Sequence, residues 1–272
     1  MREPILMACV GKKGVGKSWQ NQILMNEYVA GDPYQGIKGR KVLIMDVNDE
    51  YGVFNVPPIS LEHIALFSVH PQIEIRRVRP FHPDGRRLTL DEWSQALFYV
   101  LTRFQNGLLL IEDINKFVFD HMPSDLVGAI CTNRHVGLDI LVSYQSLGRI
   151  TTKLWGNLNV LRFHKNNESV ERHAVKFPDK VEFMSIAEII VDTMYDSNVD
   201  KRFFVYVDLD ESKIQGQLLT DEMKAHAVEQ YIYTNKKILN PILAQVDPAT
   251  KNKYTAEGAF AHMRNKMLKD YF

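Results

Sequence analysis

The sequence predicts an α/β fold, a mainly parallel sheet flanked by helices, with a helical C-terminal extension. Three observations carry this: continuous apolar runs recur along the chain, helical patterns lie between several of them, and a glycine-rich loop joins the first run to the first helix. Runs that are apolar throughout suit strands buried on both faces of a parallel sheet. Strand alternating with helix is the signature of a layered α/β domain.

The elements follow in order. ILMACV, residues 5–10, is a strand ending at Gly11, and residues 17–30 read as a helix. KVLIMDV at 41–47, GLLLIEDI at 107–114, LDILVSY at 138–144 and LNVLRF at 158–163 are further strands, each bounded by turn or charge signals. IRRVRPFHPDGRR reads as a strand and turn. Residues 90–105 place Trp93, Leu97, Val100, Leu101 and Phe104 on one helical face, with Thr89 and Glu92 spaced as a capping box and Asn106-Gly107 as the stop. A helix is expected from Ser124 to about Arg134.

After about residue 215 the pattern is helical only, which divides the chain into a domain at 1–215 and an extension at 216–272. Thr220-Asp-Glu caps one helix, a polar, proline-containing stretch runs from Asn235 to Tyr254, and a last helix carries Phe260, Met263, Met267 and Tyr271. The extension is expected to pack on its own core or on a neighbouring subunit.

Composition bounds the function. The 272 residues are 45% hydrophobic, enough for a substantial core, which excludes a disordered or fibrous chain. Lys+Arg and Asp+Glu both total 33, so any nucleic-acid surface must be local. Cys9 and Cys131 suggest neither a disulfide framework nor a zinc cluster, and a reducing compartment is the simple reading. No stretch approaches the roughly 20 apolar residues that span a bilayer, so a soluble, cytoplasmic protein without direct membrane insertion is expected.

Gly11-Lys12-Lys13-Gly14-Val15-Gly16-Lys17-Ser18 matches the phosphate-binding pattern G-x-x-x-x-G-K-[ST] without a gap. Glycines let the backbone wrap so that its N–H groups and the helix N-terminus face phosphates. Lys17 would reach the β and γ oxygens, and the Ser18 hydroxyl would ligate Mg²⁺. ATP and Mg²⁺ are therefore the expected cofactors. Such a loop also needs an acid from a neighbouring strand end, and Glu112 and Asp113 follow four apolar residues. The pair is expected to share metal-water coordination and activation of the attacking water. Gln145 ends the next apolar run, where an amide can contact a γ-phosphate oxygen and orient water; a polar turn residue is the other reading. Spacing alone reads Arg134 either as a solvated surface arginine or as a guanidinium that stabilises a transferring phosphoryl group.

Together these residues resemble the FtsK–HerA superfamily of P-loop motor ATPases. TNRHVGLDILVSYQS is most similar to the corresponding stretch of zonula occludens toxin-like (Zot-like) phage assembly ATPases, in the Arg-His pair, the Gly-Leu-Asp lead and the strand-terminal Gln145. DVNDEYG, residues 46–52, resembles the D-P-x-G-E-Y turn of HerA-like proteins, with Val47 for Pro and Asp49 for Gly. The resemblance covers about residues 4–165. It implies a RecA-like sheet whose two nucleotide-site strands are separated by an inserted strand, a subunit ring that is often hexameric, and ATP-driven movement of DNA. It also makes Gln145 a polar sensor and Arg134 a residue acting on a neighbouring subunit. The Glu112-Asp113 order is inverted relative to the family, and the membrane span typical of Zot-like proteins is missing from the pattern, which favours a packaging ATPase over an export factor.

The expected activity is thus an ATP-hydrolysing motor on double-stranded DNA, phage- or virus-encoded and associated with a virion or portal protein. Arg76, Arg77, Arg79, Arg86 and Arg87 supply a local cationic stretch that fits phosphate contact, or a basic hairpin paired with acidic neighbours. A nucleotide-dependent switch of the ParA/MinD type is the alternative: Lys12 falls where those proteins keep a signature lysine, although Lys13 replaces a glycine of their motif. A small-molecule P-loop kinase ranks below both, for want of an arginine-bearing lid.

Overall fold

The computed structural model describes residues 3–114, 128–130, 136–248 and 250–272. The chain divides into two compact units, Met1–Val160 and Leu161–Phe272.

The first unit holds β1 (Leu6–Val10), α1 (Lys17–Ala30), a small hairpin of β2 (Gly31–Asp32) and β3 (Ile37–Lys38), β4 (Lys41–Met45), α2 (Ile64–Val69), β5 (Ile75–Val78), α3 (Leu90–Arg103), β6 (Gly107–Ile111) and β7 (Asp139–Tyr144). Five of these strands lie in the order β5-β4-β6-β7-β1, and every pairing among them is parallel. Leu110 pairs with Ile44 and Leu141, and Ala8 with Val142. β7 therefore lies between the glycine-loop strand β1 and the acid-bearing strand β6, the inserted strand expected from the family resemblance.

The core explains why these runs are apolar throughout. Cys9, Met25, Val42, Ile44, Tyr51, Leu108, Leu110 and Leu141 form one buried cluster, and each fully buried aliphatic side chain contributes about 1.5–3 kcal/mol. α3 begins with the expected capping box, Thr89 with Glu92, and buries Trp93, Leu97, Val100 and Leu101 on one face. Of the helix expected over Ser124–Arg134, only residues 128–130 are described, and these are helical.

The second unit carries β8 (Val160–His164), whose first residue closes the first unit, then β9 (Phe204–Asp208) and β10 (Lys213–Gln215) in the order β8-β9-β10, with β9 and β10 antiparallel. Its main helices span Val181–Asp196, Asp221–Thr234 and Ala256–Tyr271, with a short one at Asn240–Leu243. Within this unit helix 181–196 packs on helix 221–234, which in turn packs on helix 256–271. The Phe260 and Tyr233 rings pack tilted with centroids 4.9 Å apart, and the Tyr271 ring lies 5.8 Å from that of Phe183 while its hydroxyl donates to Glu182. The C-terminal helices are thus seated within their own chain. Among the described residues no helix is long and apolar enough to cross a membrane.

Candidate functional site

Because β1, β4, β6 and β7 are parallel, their carboxyl ends share one edge. That is where open α/β sheets bind ligands. The segments leaving those ends carry Gly11–Ser18, Asp46–Tyr51, Glu112–Asp113 and Gln145.

The glycine loop is anchored on both sides. Gly11 N–H donates to Tyr144 O at the end of β7, 3.3 Å away, and Val15 is buried. Gly14 and Gly16 have φ of 86° and 81°, the left-handed region that side chains disfavour. A Cβ built at Gly14 would meet nothing within 4 Å, so the loop is open there. Lys17 Nζ donates to Gly11 O at 2.5 Å and Lys12 O at 2.8 Å, which arches its side chain over the loop. Ser18 stands in the first turn of α1 and is half-buried; Lys13 is exposed.

Glu112 and Asp113 diverge. Glu112 is buried, 6% exposed, and two donors from distant segments converge on its Oε1: Asn21 Nδ2 of α1 at 2.8 Å, and the Tyr51 hydroxyl. Asn21 lies one helical turn before Met25, so both face the sheet, and its amide also contacts Tyr51 Oη and Ser143 Oγ, each at 3.2 Å. Burial pushes the Glu112 carboxyl up from its ordinary value. Burial, reinforced by the Glu112 charge, pushes the Tyr51 phenol well up, which keeps it a donor.

Asp113 has φ 42°, a left-handed kink directly after the buried acid. It is half-buried and accepts from Asn48 Nδ2 at 3.0 Å and from Gln145 Nε2 at 3.1 and 3.2 Å. Gln145 is exposed at the end of β7. The strand-end glutamine and the second acid, 32 positions apart, are thus in direct contact.

The donor set of Ser18 hydroxyl and carboxylate oxygens suits a hard cation such as Mg²⁺. Among the described residues no three or more His, Cys, Asp or Glu form a self-contained metal cage. A cation here would therefore complete its shell from phosphate and water.

The turn after β4 is clamped from below. Asp46 is fully buried and accepts from the backbone N–H of Glu50 at 2.9 Å and of Tyr51 at 3.0 Å. Arg77 Nη1 donates to Asp46 Oδ2 at 2.9 Å and also to Asp49, while its Nε reaches Val56 O at 2.9 Å. A Cβ at Gly52 would fall 2.9 Å from Arg77 Nη2, so glycine makes room for the guanidinium. Arg79 donates to both Asp49 oxygens at 2.9 and 2.8 Å, and this bond, with Arg77, holds Asp49 down to about 2.

The arginine stretch is therefore not one surface. Arg77 is 8% exposed and saturated by acids, which removes it from the residues expected to face a polyanion. Arg76 pairs with Glu74 and Arg86 with Glu92, each at 2.9 Å. Arg87, exposed, donates to Val47 O and lies 6.0 Å from the centre of the Phe81 ring. Arg134 lies outside the described residues. Asn48 and Tyr51 lie within the DVNDEYG turn quoted from the sequence, but the sequence assigns them no role, and Asn21 is outside every quoted motif; the signal for Asn21 is a polar residue four positions before a core methionine on the loop's own helix.

No family model matches the chain, and no curated protein matches it by sequence. Solved structures do match. The genome packaging NTPase B204 from Sulfolobus turreted icosahedral virus 2, in complex with AMP, superposes with a TM-score of 0.54 at 16% identity, over 79% of this chain and 97% of that one. The same protein is also known in complex with ATP-gammaS and with AMPPCP. B204, the DNA-packaging ATPase from Sulfolobus turreted icosahedral virus, gives 0.52 at 13% identity over 79% and 97%. The N-terminal domain of zonular occludens toxin from Neisseria meningitidis gives 0.37 at 13% identity over 61% and 79%. The fold of this chain is that of a P-loop NTPase, with a mainly parallel sheet flanked by helices.

Proposed function

We propose that this protein is a P-loop ATPase whose hydrolysis drives the packaging or translocation of double-stranded DNA. The observation that carries the reading is the shared strand edge: an open glycine loop with Lys17 and Ser18, faced by one buried and one rim carboxylate, on the fold of viral packaging NTPases. In this reading Gly11, Lys12, Lys13, Gly14, Val15 and Gly16 present backbone N–H groups to the phosphates. Lys17 leaves the Gly11 and Lys12 carbonyls for the β and γ oxygens. Ser18, with Glu112 or Asp113 through water, would hold Mg²⁺, whose charge offsets that developing on the phosphates. Asp113, oriented by Gln145 and Asn48, faces the rim and is placed to take a proton from the attacking water.

By the family resemblance we assign a homo-oligomeric, hexameric ring in which Arg134 of one subunit acts on the site of the next, and association with a virion or portal protein in the cytoplasm of a bacterium or infected cell. The DNA contacts fall to the exposed Arg79, Arg86 and Arg87 rather than to Arg77.

The test is the steady-state ATP hydrolysis rate against increasing double-stranded DNA at low and moderate salt. Lys17→Ala is expected to lower kcat by roughly 100-fold or more, since it removes a cation from the transition state. Stimulation by DNA that weakens with salt supports the motor. A slow rate indifferent to DNA would instead support the ParA/MinD-like switch.

A further inference from the structure

We infer that Tyr51 and Asn21 are positioning residues for Glu112, and that the Asp46–Arg77 pair acts through Tyr51 to hold the same carboxylate. The inference rests on the ATPase reading above and names which residues make its buried acid competent.

The geometry is a chain of contacts that ends on one atom. Glu112 Oε1 accepts from Tyr51 Oη and from Asn21 Nδ2, and these donors belong to different elements. Asn21 is on α1, the helix whose first turn carries Lys17 and Ser18, so one rigid element sets the glycine loop and one side of the carboxylate. Tyr51 is on the turn after β4, fully buried, with its backbone N–H held by Asp46. Asp46 is held in turn by Arg77 of β5, which pairs with β4 strand to strand. The carboxylate is thus fixed between α1 and β4–β5. Every group in this path, Asn21, Asp46, Tyr51, Arg77 and Glu112, is buried.

A carboxylate on a strand end has two free side-chain torsions beyond χ1, and its useful orientation must be selected by neighbours. Ordinary packing would select it with apolar contacts. Here an amide and a phenol do so in a space that could otherwise be apolar. Groups of this kind around a reacting or metal-bound residue are commonly worth about 10- to 100-fold in activity.

The experiment is a kinetic cycle on the full chain. Tyr51→Phe, which removes one oxygen and leaves the ring in the core, is expected to lower kcat for ATP hydrolysis about 10- to 100-fold, with KM within about twofold. Binding of a non-hydrolysable ATP analogue should be unchanged. In a Glu112→Gln background the same Tyr51→Phe change should alter kcat by less than about twofold, because its effect is transmitted through the carboxylate. Asn21→Ala, measured in the same two backgrounds, should behave alike and keeps the test independent of how well one variant folds. A kcat for Tyr51→Phe within twofold of wild type, or equal losses in both backgrounds, overturns the inference. Wild-type protein without turnover dependent on Lys17 overturns the ATPase reading as well, so the two failures are distinguishable.

Discussion

Glu112 and Asp113 are adjacent in the chain and occupy opposite regions of the site. The first is sealed behind the strand end and bonded to Asn21 and Tyr51; the second is turned by a left-handed backbone to the rim, where Asn48 and Gln145 reach it. The arginine stretch repeats the contrast: Arg77 is buried on Asp46, whereas Arg86 holds Glu92 at the surface. The same functional groups thus form a buried frame and a solvated rim. The lesson is that burial, and not residue type, separates groups that fix geometry from groups a ligand can reach.

The contrast is sharpest between the two arginines. Arg77→Ala strands a fully buried Asp46 and should cost about 3–5 kcal/mol of folding stability. Arg86→Ala removes an exposed, solvent-screened pair and should leave stability essentially unchanged. Urea denaturation of both variants checks this, and equal losses would erase the distinction. The neighbouring acids should differ less. Glu112→Ala leaves two buried donors without their acceptor and is expected to cost about 2 kcal/mol, while Asp113→Ala stays within about 0.5 kcal/mol.

A third, smaller effect extends the comparison to a half-buried acid in the second unit. Glu188 accepts the Val170 N–H with both oxygens, at 3.1 and 3.2 Å, and burial pushes its carboxyl up to about 7, with Asp192 adding to the shift and Lys165 opposing it. The folded state therefore binds this proton more tightly than the unfolded chain. The resulting stability is fully present below pH ~4.5 and is lost as pH rises to about 7. Allowing for partial solvent exposure, the loss should be about 1–2 kcal/mol. Between pH 5 and 8 the thermal midpoint of wild type should fall relative to that of Glu188→Gln, which cannot titrate there; parallel curves would show that Glu188 keeps its ordinary proton affinity.

Local patterns were legible because the chemistry they encode is local. The glycine loop is eight consecutive residues, and the Thr89–Glu92 cap is one helical turn. Strand-end positions made Glu112, Asp113 and Gln145 visible, since an acid or amide after an apolar run must leave the sheet at its carboxyl edge. The arginines were visible as a cluster but not as two populations. Arg77 and Arg79 project on one side of their segment toward Asp49, and only the depth of that side decides that one is buried and the other exposed.

By itself, then, the sequence determined the layered α/β class, the phosphate loop and the candidate acids, all consequences of hydrophobic period and short-range spacing. The insertion of β7 between β1 and β6 is implied by the family resemblance and by no spacing, whereas tertiary structure alone decided that the chain divides at Val160/Leu161 and that Asn21, Tyr51 and Glu112 meet. The physical reason is strand order. Asn21 and Glu112 stand 91 positions apart, and Tyr51 and Glu112 61. Nothing short-ranged links them; they converge because parallel strands bring their carboxyl ends to one edge, and burial there requires each polar group to find a partner.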